Sequence, residues 1–249
     1  MSPDRFPPLP AETARQLLNT IAGYEPDWLL ILPYVPHEER GFWLSILAIA
    51  SELLVIPGKV STPLLGDVRL QWWREALDEV FGETPVRRHP VVEALDRAMR
   101  GRPAAADRLR AAIDGMQPFL TPDDETSLDR AMGVRKAIFD PLAEELGANG
   151  GGEAFALHAL ARSSADRSLA PGPEGVEAPR SRFSRGLASH PELGSQLAEA
   201  IRNAKARRSD DPASLLLALL KTESGQVKRI DNPLHQRWAI FRAAIMGRS

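Results

Sequence analysis

Apolar residues recur at helical spacing along most of the chain. Between residues 63 and 82, large apolar side chains at i, i+4, i+7 and i+8 share one helical face: Trp73, Leu77, Val80 and Phe81. Polar residues occupy a strip on the same helix: Gln71, Glu75 and Asp78. The pattern predicts an amphipathic helix in which Trp73 is more buried than Arg74 and Asp78, and in which Arg74 can pair with Asp78 one turn away.

A second helix is predicted just before it, over residues 36–56. Its apolar part, FWLSILAIASELLVI, has 15 residues, whereas a membrane span needs about 20. Because it also contains two serines and Glu52, the segment predicts a buried core helix that ends before Pro57 and Gly58. The short connection to Pro63 predicts that the two helices pack as roughly antiparallel neighbours.

The remaining helices are predicted from apolar spacing and from proline and glycine near their ends. They cover residues 10–23, 89–101, 102–116, 121–147, 153–170, 190–208, 211–223 and 232–247. In the helix over 121–147, Thr121 is the expected N-cap and Pro141 the expected kink or break. Residues 148–152, ANGGG, predict a flexible joint, and no segment of convincing length alternates like a strand. The pattern therefore predicts an all-α fold in a single domain, residues 1–249.

Composition excludes several classes of site. The absence of cysteine excludes disulfides, thiolate nucleophiles and Cys-ligated zinc, and it fits a reducing compartment. The five histidines are far apart, and the sequence contains no phosphate-binding glycine loop, HExxH or GxSxG motif. The first ten residues lack the basic and apolar regions of a signal peptide, so none is expected. Nothing in the charge or the motifs indicates a nucleic-acid partner.

Charge is distributed unevenly along the chain. Residues 1–150 hold 16 Lys and Arg against 23 Asp and Glu, whereas residues 151–249 hold 15 against 10. A solvated helix face is the simpler explanation of the basic excess. The functional interpretation is peripheral contact between the basic C-terminal half and an anionic lipid surface or an acidic partner. The expected location is the cytoplasm, at the inner face of a membrane.

A more specific pattern lies between residues 41 and 115. The apolar helix is followed by three short motifs: Ser61-Thr62-Pro63, Gly66-Asp67-Val68-Arg69 and Leu70-Gln71-Trp72-Trp73-Arg74. Two further motifs follow them: His89-Pro90-Val91 and Ala112-Ile113-Asp114. This pattern resembles the squalene/phytoene synthase family, in particular the branch of phytoene-synthase-like bacterial proteins and mitochondrial complex I assembly factors. The resemblance is best over residues 25–147, and residues 148–249 are divergent.

The resemblance implies an isoprenoid-synthase-type helical bundle around a central apolar cavity. In active members of the family, two aspartate-rich motifs on facing helices hold Mg²⁺ ions, which bind the diphosphates of two prenyl substrates. Departure of a diphosphate concentrates negative charge on the leaving group, so Mg²⁺ and basic side chains must neutralise it. Mg²⁺ is bound through oxygen ligands, usually carboxylates and water.

Few carboxylates are found where the resemblance places these motifs. Glu52 is the only acid near the first position, and it either faces solvent or a polar group of another helix, or is a relic facing the cavity. The second position offers Arg162 and Asp166, one base and one acid. Trp72 and Trp73 are core residues or the walls of an isoprenoid pocket, and Arg69 is a candidate diphosphate partner. These six residues are the candidate cavity or relic-site residues, and we expect neither a metal site nor a cofactor.

The resemblance leaves three functional hypotheses. The favoured one is a non-catalytic protein that acts as an assembly factor or chaperone for a membrane complex, such as a respiratory complex, and binds one of its subunits. The first alternative is an active head-to-head prenyl diphosphate synthase with a divergent Mg²⁺ site, in which Glu75 and Asp78 are further candidate ligands. The third hypothesis is a carrier of an isoprenoid or another lipid.

Overall fold

The computed structural model describes residues 9–120, 127–148, 151–165, 190, 192–207, 211–223 and 226–246. Within these ranges the chain forms nine α-helices, numbered in chain order: α1 Ala11–Tyr24, α2 Arg40–Lys59, α3 Pro63–Phe81, α4 Pro90–Met99, α5 Ala105–Asp114, α6 Leu128–Glu145, α7 Gly151–Ala165, α8 Glu192–Ala206 and α9 Pro233–Met246. Short 3-10 helices connect several of them: Pro26–Leu30, Leu32–Tyr34, His37–Glu39, Gln117–Leu120 and Pro212–Leu219. The prediction of an all-α fold is confirmed.

Helix α2 is the core helix of the protein. Within the described ranges, the helical segment His37–Lys59 is long and apolar enough to cross a membrane, but 78% of its most apolar window is buried inside the protein. The predicted end at Ile56 is wrong, because α2 continues through Pro57 to Lys59. A proline so close to the end of a helix removes only one of the last backbone hydrogen bonds, so the final turn can form around it.

Helix α3 begins as the sequence predicts. Pro63 occupies its first turn, and the hydroxyl of Thr62 accepts a hydrogen bond from the backbone N–H of Leu65. The helix contacts α2, as expected, and it packs more extensively against α4 and α5. The side chain of Trp73 is 4% exposed, whereas those of Arg74 and Asp78 are 31% and 65% exposed, so the predicted order of burial is confirmed.

Helices α6 and α7 form a closely packed pair. Ser127 caps α6 by accepting a hydrogen bond from the N–H of Arg130, whereas Thr121, the expected N-cap, lies outside the described residues. Pro141 does not split α6, which continues to Glu145. Gly152, expected in a flexible joint, belongs to the first turn of α7, where a Cβ atom would lie 2.8 Å from the Cα of Asp140. This glycine therefore allows the two helix backbones to approach each other closely.

The segment over residues 211–223 differs from the prediction of a helix. It forms the 3-10 helix Pro212–Leu219 and then strand β1, Leu220–Glu223, which pairs antiparallel with strand β2, Gln226–Arg229. The register places Leu220 opposite Arg229 and Thr222 opposite Val227. Thr222 and Val227 are β-branched residues, which favour strands. The sequence Ser-Gly between the two strands is typical of a hairpin, and a search for apolar periodicity alone does not detect it.

One hydrophobic core joins the two ends of the described chain. Its buried residues extend from Leu17 in α1 to Ile240 in α9. Trp28 is fully buried in this core, and its ring lies edge-on to Phe139 of α6 and Phe155 of α7, with ring centroids 6.0 and 5.5 Å away. The aromatic contacts hold the short 3-10 helix Pro26–Leu30 against α6 and α7.

Candidate functional site

Five charged or polar side chains meet beside Trp28, in what we call the ion cluster. They come from three separate parts of the chain and are Glu25, Asp27, His158, Arg162 and Arg229. Glu25 follows α1, and its backbone N–H donates to the carbonyl of Ile21. His158 and Arg162 are one turn apart on α7, which places both side chains on the same helical face.

Asp27 receives hydrogen bonds from two directions. The Nε of Arg229 lies 2.7 Å from Oδ2, and Nη2 of the same guanidinium donates to Oδ1. The Nε2 of His158 lies 3.1 Å from Oδ2 of the same carboxylate. Burial alone would raise the pKa of Asp27, but the hydrogen bonds and charges of Arg229 and His158 hold this pKa below its usual range. Asp27 is therefore an ionised carboxylate at neutral pH.

Arg162 is held by the carboxylates of the same cluster. Its Nε lies 2.9 Å from Oε1 of Glu25, and its Nη1 lies 3.9 Å from Oδ2 of Asp27. The carboxylates are almost completely buried, and the two arginines are largely so. Two acids and two guanidinium groups thus balance each other's charge, as a buried ion pair requires.

A second group, which we call the Trp–His cluster, lies where α3 meets the start of α4. The rings of Trp72, Trp73 and His89 contact one another edge-on, with centroids 5.0 to 5.5 Å apart. The guanidinium of Arg87 lies 4.6 Å from the centroid of the Trp72 ring and binds Glu79 with its Nη2 2.6 Å from Oε1. The tryptophan pair therefore packs between helices and is held on one side by a cation–π contact.

Glu52 belongs to the surroundings of the Trp–His cluster. It is half-buried on α2, and its negative charge raises the pKa of His89, as does that of Glu93. The larger effect is the burial of the imidazole, which leaves the pKa of His89 below its ordinary value. His89 is therefore a neutral ring at neutral pH, and its buried Nδ1 has no hydrogen-bond partner among the described residues.

The polar strip of α3 faces α5 and a surface groove. Arg74 binds Asp114, and Asp78 binds Arg110, each at 2.8 Å. The predicted pair between Arg74 and Asp78 is wrong, because each of these side chains binds a residue of opposite charge on α5 instead. Beside these contacts lies a groove of about 420 Å³, whose lining includes Asp67, Val68, Gln71, Trp72, Arg74 and Glu75.

The comparison with known families gives one match. Residues 9–132 match the sequence profile of squalene/phytoene synthase. This part of the chain is a squalene/phytoene synthase family domain. It covers just under half of the chain, from the residues before α1 to the first turns of α6. Neither a curated protein nor a solved structure matches the chain.

The family domain supplies some residues of both clusters. Glu25, Asp27, Glu52 and the whole Trp–His cluster lie inside the matched range, whereas His158, Arg162 and Arg229 lie beyond it. The ion cluster thus joins the squalene/phytoene synthase domain to the C-terminal part of the chain.

The structure separates the six residues predicted from the sequence. Glu52, Trp72 and Trp73 lie at the Trp–His cluster, and Arg162 lies in the ion cluster. Arg69 is exposed on α3, and Asp166 lies outside the described residues. Across the ranges the structure describes, no group of three or more His, Cys, Asp or Glu is arranged to hold a metal ion.

Four members of the ion cluster were not predicted: Glu25, Asp27, His158 and Arg229. Two of them are polar residues inside apolar segments, a feature that a search for apolar periodicity does not detect. His158 lies in the apolar run AFALHALA, and Asp27 directly precedes Trp28 and two leucines. A polar residue inside so apolar a segment is either exposed or satisfied by a buried partner. The partner itself could not be read from the sequence.

Proposed function

We propose that this protein is a non-catalytic squalene/phytoene-synthase-like protein that acts as an assembly factor or chaperone for a membrane complex of the respiratory type. One observation carries the proposal: Arg162, the base at the second motif position, is bound to Glu25 and lies beside Asp27. The protein's own carboxylates thus occupy the guanidinium that a prenyl diphosphate would need.

The energetics of the ion cluster argue against its opening for a substrate. If Arg162 turned to a diphosphate, its ion pair with Glu25, whose side chain is 2% exposed, would be broken. Leaving one charge of a buried pair uncompensated typically costs about 3–5 kcal/mol. The neighbouring carboxylate of Asp27 is likewise hydrogen-bonded to Arg229 and His158. Both acids are therefore structural ligands of arginine rather than open ligands for Mg²⁺.

The first motif position also argues against catalysis. Glu52 is the carboxylate that α2 offers there, and its charge acts on His89 of the Trp–His cluster. A single half-buried acid next to a neutral imidazole provides little of the negative charge that several Mg²⁺ ions require. This arrangement supports a scaffold in which the family's fold is used for binding.

The binding surface we propose is the exposed face of α3. Its first turns present Leu64, Leu65 and Val68 to solvent, next to the groove lined by Asp67, Gln71 and Glu75. Exposed apolar side chains bordered by polar ones are typical of protein–protein contacts. The buried face of the same helix carries Trp73 into the core, so this surface is rigidly supported.

The catalytic part of the proposal is tested by an activity assay. The purified protein is incubated with farnesyl or geranylgeranyl diphosphate and Mg²⁺ or Mn²⁺, with an active squalene synthase as the positive control. We expect neither pyrophosphate release nor a head-to-head product above the level without protein. Turnover that disappears in Glu52→Gln would overturn the proposal and favour an active synthase. Binding of the diphosphate without turnover, lost in Trp72→Ala, would favour the carrier.

The partner is tested by site-specific cross-linking. A photo-reactive amino acid replaces Gln71 in the groove or, as the matched control, Gln196 on the exposed side of α8. After irradiation in cells, we expect a subunit of a membrane complex to cross-link from position 71 and not from position 196. Cross-linking of the same subunit from both positions, or from neither, would contradict the assignment to α3.

A further inference from the structure

Helix α9 presents a row of large apolar side chains to solvent. These residues are 46–74% exposed and form what we call the apolar stripe: Leu234, Trp238, Phe241 and Ile245. Their spacing of four, three and four residues places them along one side of the helix. The rings of Trp238 and Phe241 lie 5.7 Å apart, so the middle of the stripe is a continuous aromatic surface.

The opposite side of α9 is anchored in the protein. Ile240 is buried in the main core, and the side chain of Gln236 is buried and donates to the carbonyl of Ile230. The helix also packs against the 3-10 helix Pro212–Leu219. The exposure of the apolar stripe is therefore imposed by the fold, because the helix cannot rotate to bury it without removing Ile240 from the core.

The charges of α9 are all basic. Its sequence, PLHQRWAIFRAAIM, contains two arginines and one histidine and no acid. At about 100° per residue, Arg237 lies on one side of the apolar stripe, and His235 and Arg242 lie on the other. All three side chains are exposed. An apolar surface with aromatic residues, flanked by basic groups on both sides, is typical of helices that lie in the headgroup region of anionic membranes.

We propose that the apolar stripe of α9 docks the protein on an anionic lipid surface. In this arrangement Trp238 and Phe241 enter the boundary between headgroups and acyl chains, while Arg237 and Arg242 bind lipid phosphates. A second copy of the same helix is a poorer occupant, because it would bring basic flanks together with no acid on either helix. The proposal does not depend on whether the protein is catalytic.

The experiment is vesicle flotation with the full-length protein. Vesicles contain either phosphatidylcholine alone or phosphatidylcholine with phosphatidylglycerol. We expect stronger binding to the vesicles that contain phosphatidylglycerol, and a loss of this preference as salt is added. Trp238→Ser combined with Phe241→Ser should weaken binding at least about tenfold, since each large side chain gives a comparable factor when buried. Arg237→Gln combined with Arg242→Gln should remove the preference for the anionic lipid.

Two control variants distinguish docking through the apolar stripe from unfolding and from nonspecific hydrophobic binding. Leu18→Ser removes an apolar side chain of α1 that is 37% exposed, and it should leave vesicle binding unchanged. Trp238→Phe keeps the apolar surface, so it should retain binding while losing part of the blue shift of tryptophan fluorescence that vesicles produce. Circular dichroism of each variant should match the wild type.

Several results would overturn the proposal. One is the absence of binding to either kind of vesicle, and another is equal binding of the wild type and the Trp238→Ser, Phe241→Ser variant. A wild-type dimer in light scattering that becomes a monomer in this variant would assign the stripe to a second copy. Binding of a purified protein to the wild type but not to the Trp238→Ser, Phe241→Ser variant, without any affinity of the wild type for vesicles, would assign the stripe to a protein surface.

Discussion

Arg229 on strand β2 binds the carboxylate of Asp27, which lies 202 residues earlier in the chain, with its Nε 2.7 Å from Oδ2. A second guanidinium nitrogen donates to Oδ1, so the contact is bidentate. It ties the short 3-10 helix after α1 to the C-terminal hairpin. The hairpin is a small element with two strands of four residues, and such hairpins are marginal in isolation. Its position therefore depends on this ion pair and on the packing around it.

Asp27→Asn is expected to destabilise the protein by about 3 kcal/mol, because it removes the buried carboxylate charge that Arg229 binds in a bidentate manner and leaves Asp231 and Glu25 as the remaining carboxylates of the two arginines. Urea unfolding at neutral pH measures the difference. The matched control is Asp78→Asn, which removes the partner of Arg110 at an exposed site and should cost about 1 kcal/mol or less. Equal losses for the two variants would mean that the ion cluster is no more important than a surface pair.

Trp73→Ala is expected to cost about 3–5 kcal/mol, since the indole is buried between α3 and the start of α4 and its loss leaves a large cavity. Thermal or urea unfolding tests this expectation. Trp238→Ala, at a site that is 62% exposed, is the control and should change stability by less than about 1 kcal/mol. A loss below about 1 kcal/mol for Trp73→Ala would show that the buried face of α3 is assigned wrongly.

Two glycine substitutions in adjacent helices are expected to have opposite effects. Gly152→Ala places a Cβ atom against the backbone of Asp140 in α6, so α6 and α7 must separate and stability should fall by about 1–3 kcal/mol. Gly133→Ala in α6 meets no atom within 4 Å, so it should raise stability by about 0.4–1 kcal/mol. A Gly152→Ala variant that is as stable as the wild type would refute the close approach of the two helices.

The half-buried His89 is expected to make the protein less stable in mild acid. Burial lowers the pKa of its imidazole in the folded state, so below about pH 6.5 the unfolded chain binds a proton that the folded chain resists. The contribution of His89 to stability should fall as the pH decreases from about 6.5 towards the lower pKa of the folded state. The charges of Glu52 and Glu93 oppose this effect without cancelling it.

The measurement for His89 compares urea unfolding at about pH 7.5 and pH 5.5. His89→Gln cannot take up the proton and should lose less stability between these two conditions than the wild type. His235→Gln, on the exposed side of α9, is the control and should retain the dependence of the wild type. A wild type and a His89→Gln variant with the same change would exclude His89 as the source.

Local periodicity predicted the helical architecture and part of the site. The core character of α2, the start of α3 at Pro63 and the burial of Trp73 follow from residue types within a few turns of each other. Such patterns depend on neighbours in sequence, and a single sequence contains them. The family domain at residues 9–132 could be recognised for a similar reason, because its motifs are short and contiguous.

Long-range contacts account for what the sequence did not reveal. The hairpin of β1 and β2 and the partners of Arg74 depend on elements that meet only in the folded protein. The ion cluster combines residues from Glu25 to Arg229, and no spacing rule connects them. Arg162 was found by the family resemblance, but the carboxylates that bind it were not.

The pairing of Asp27 with Arg229 also constrains how the protein can fold while it is being synthesised. The two residues are separated by 202 positions, and at about 5–20 residues per second a ribosome needs roughly 10–40 seconds to make that length of chain. For most of this interval the apolar helix α2 has been synthesised, whereas the C-terminal elements that complete the core have not. The nascent chain therefore displays a long apolar helix for many seconds, which makes it a natural client of chaperones that act at the ribosome.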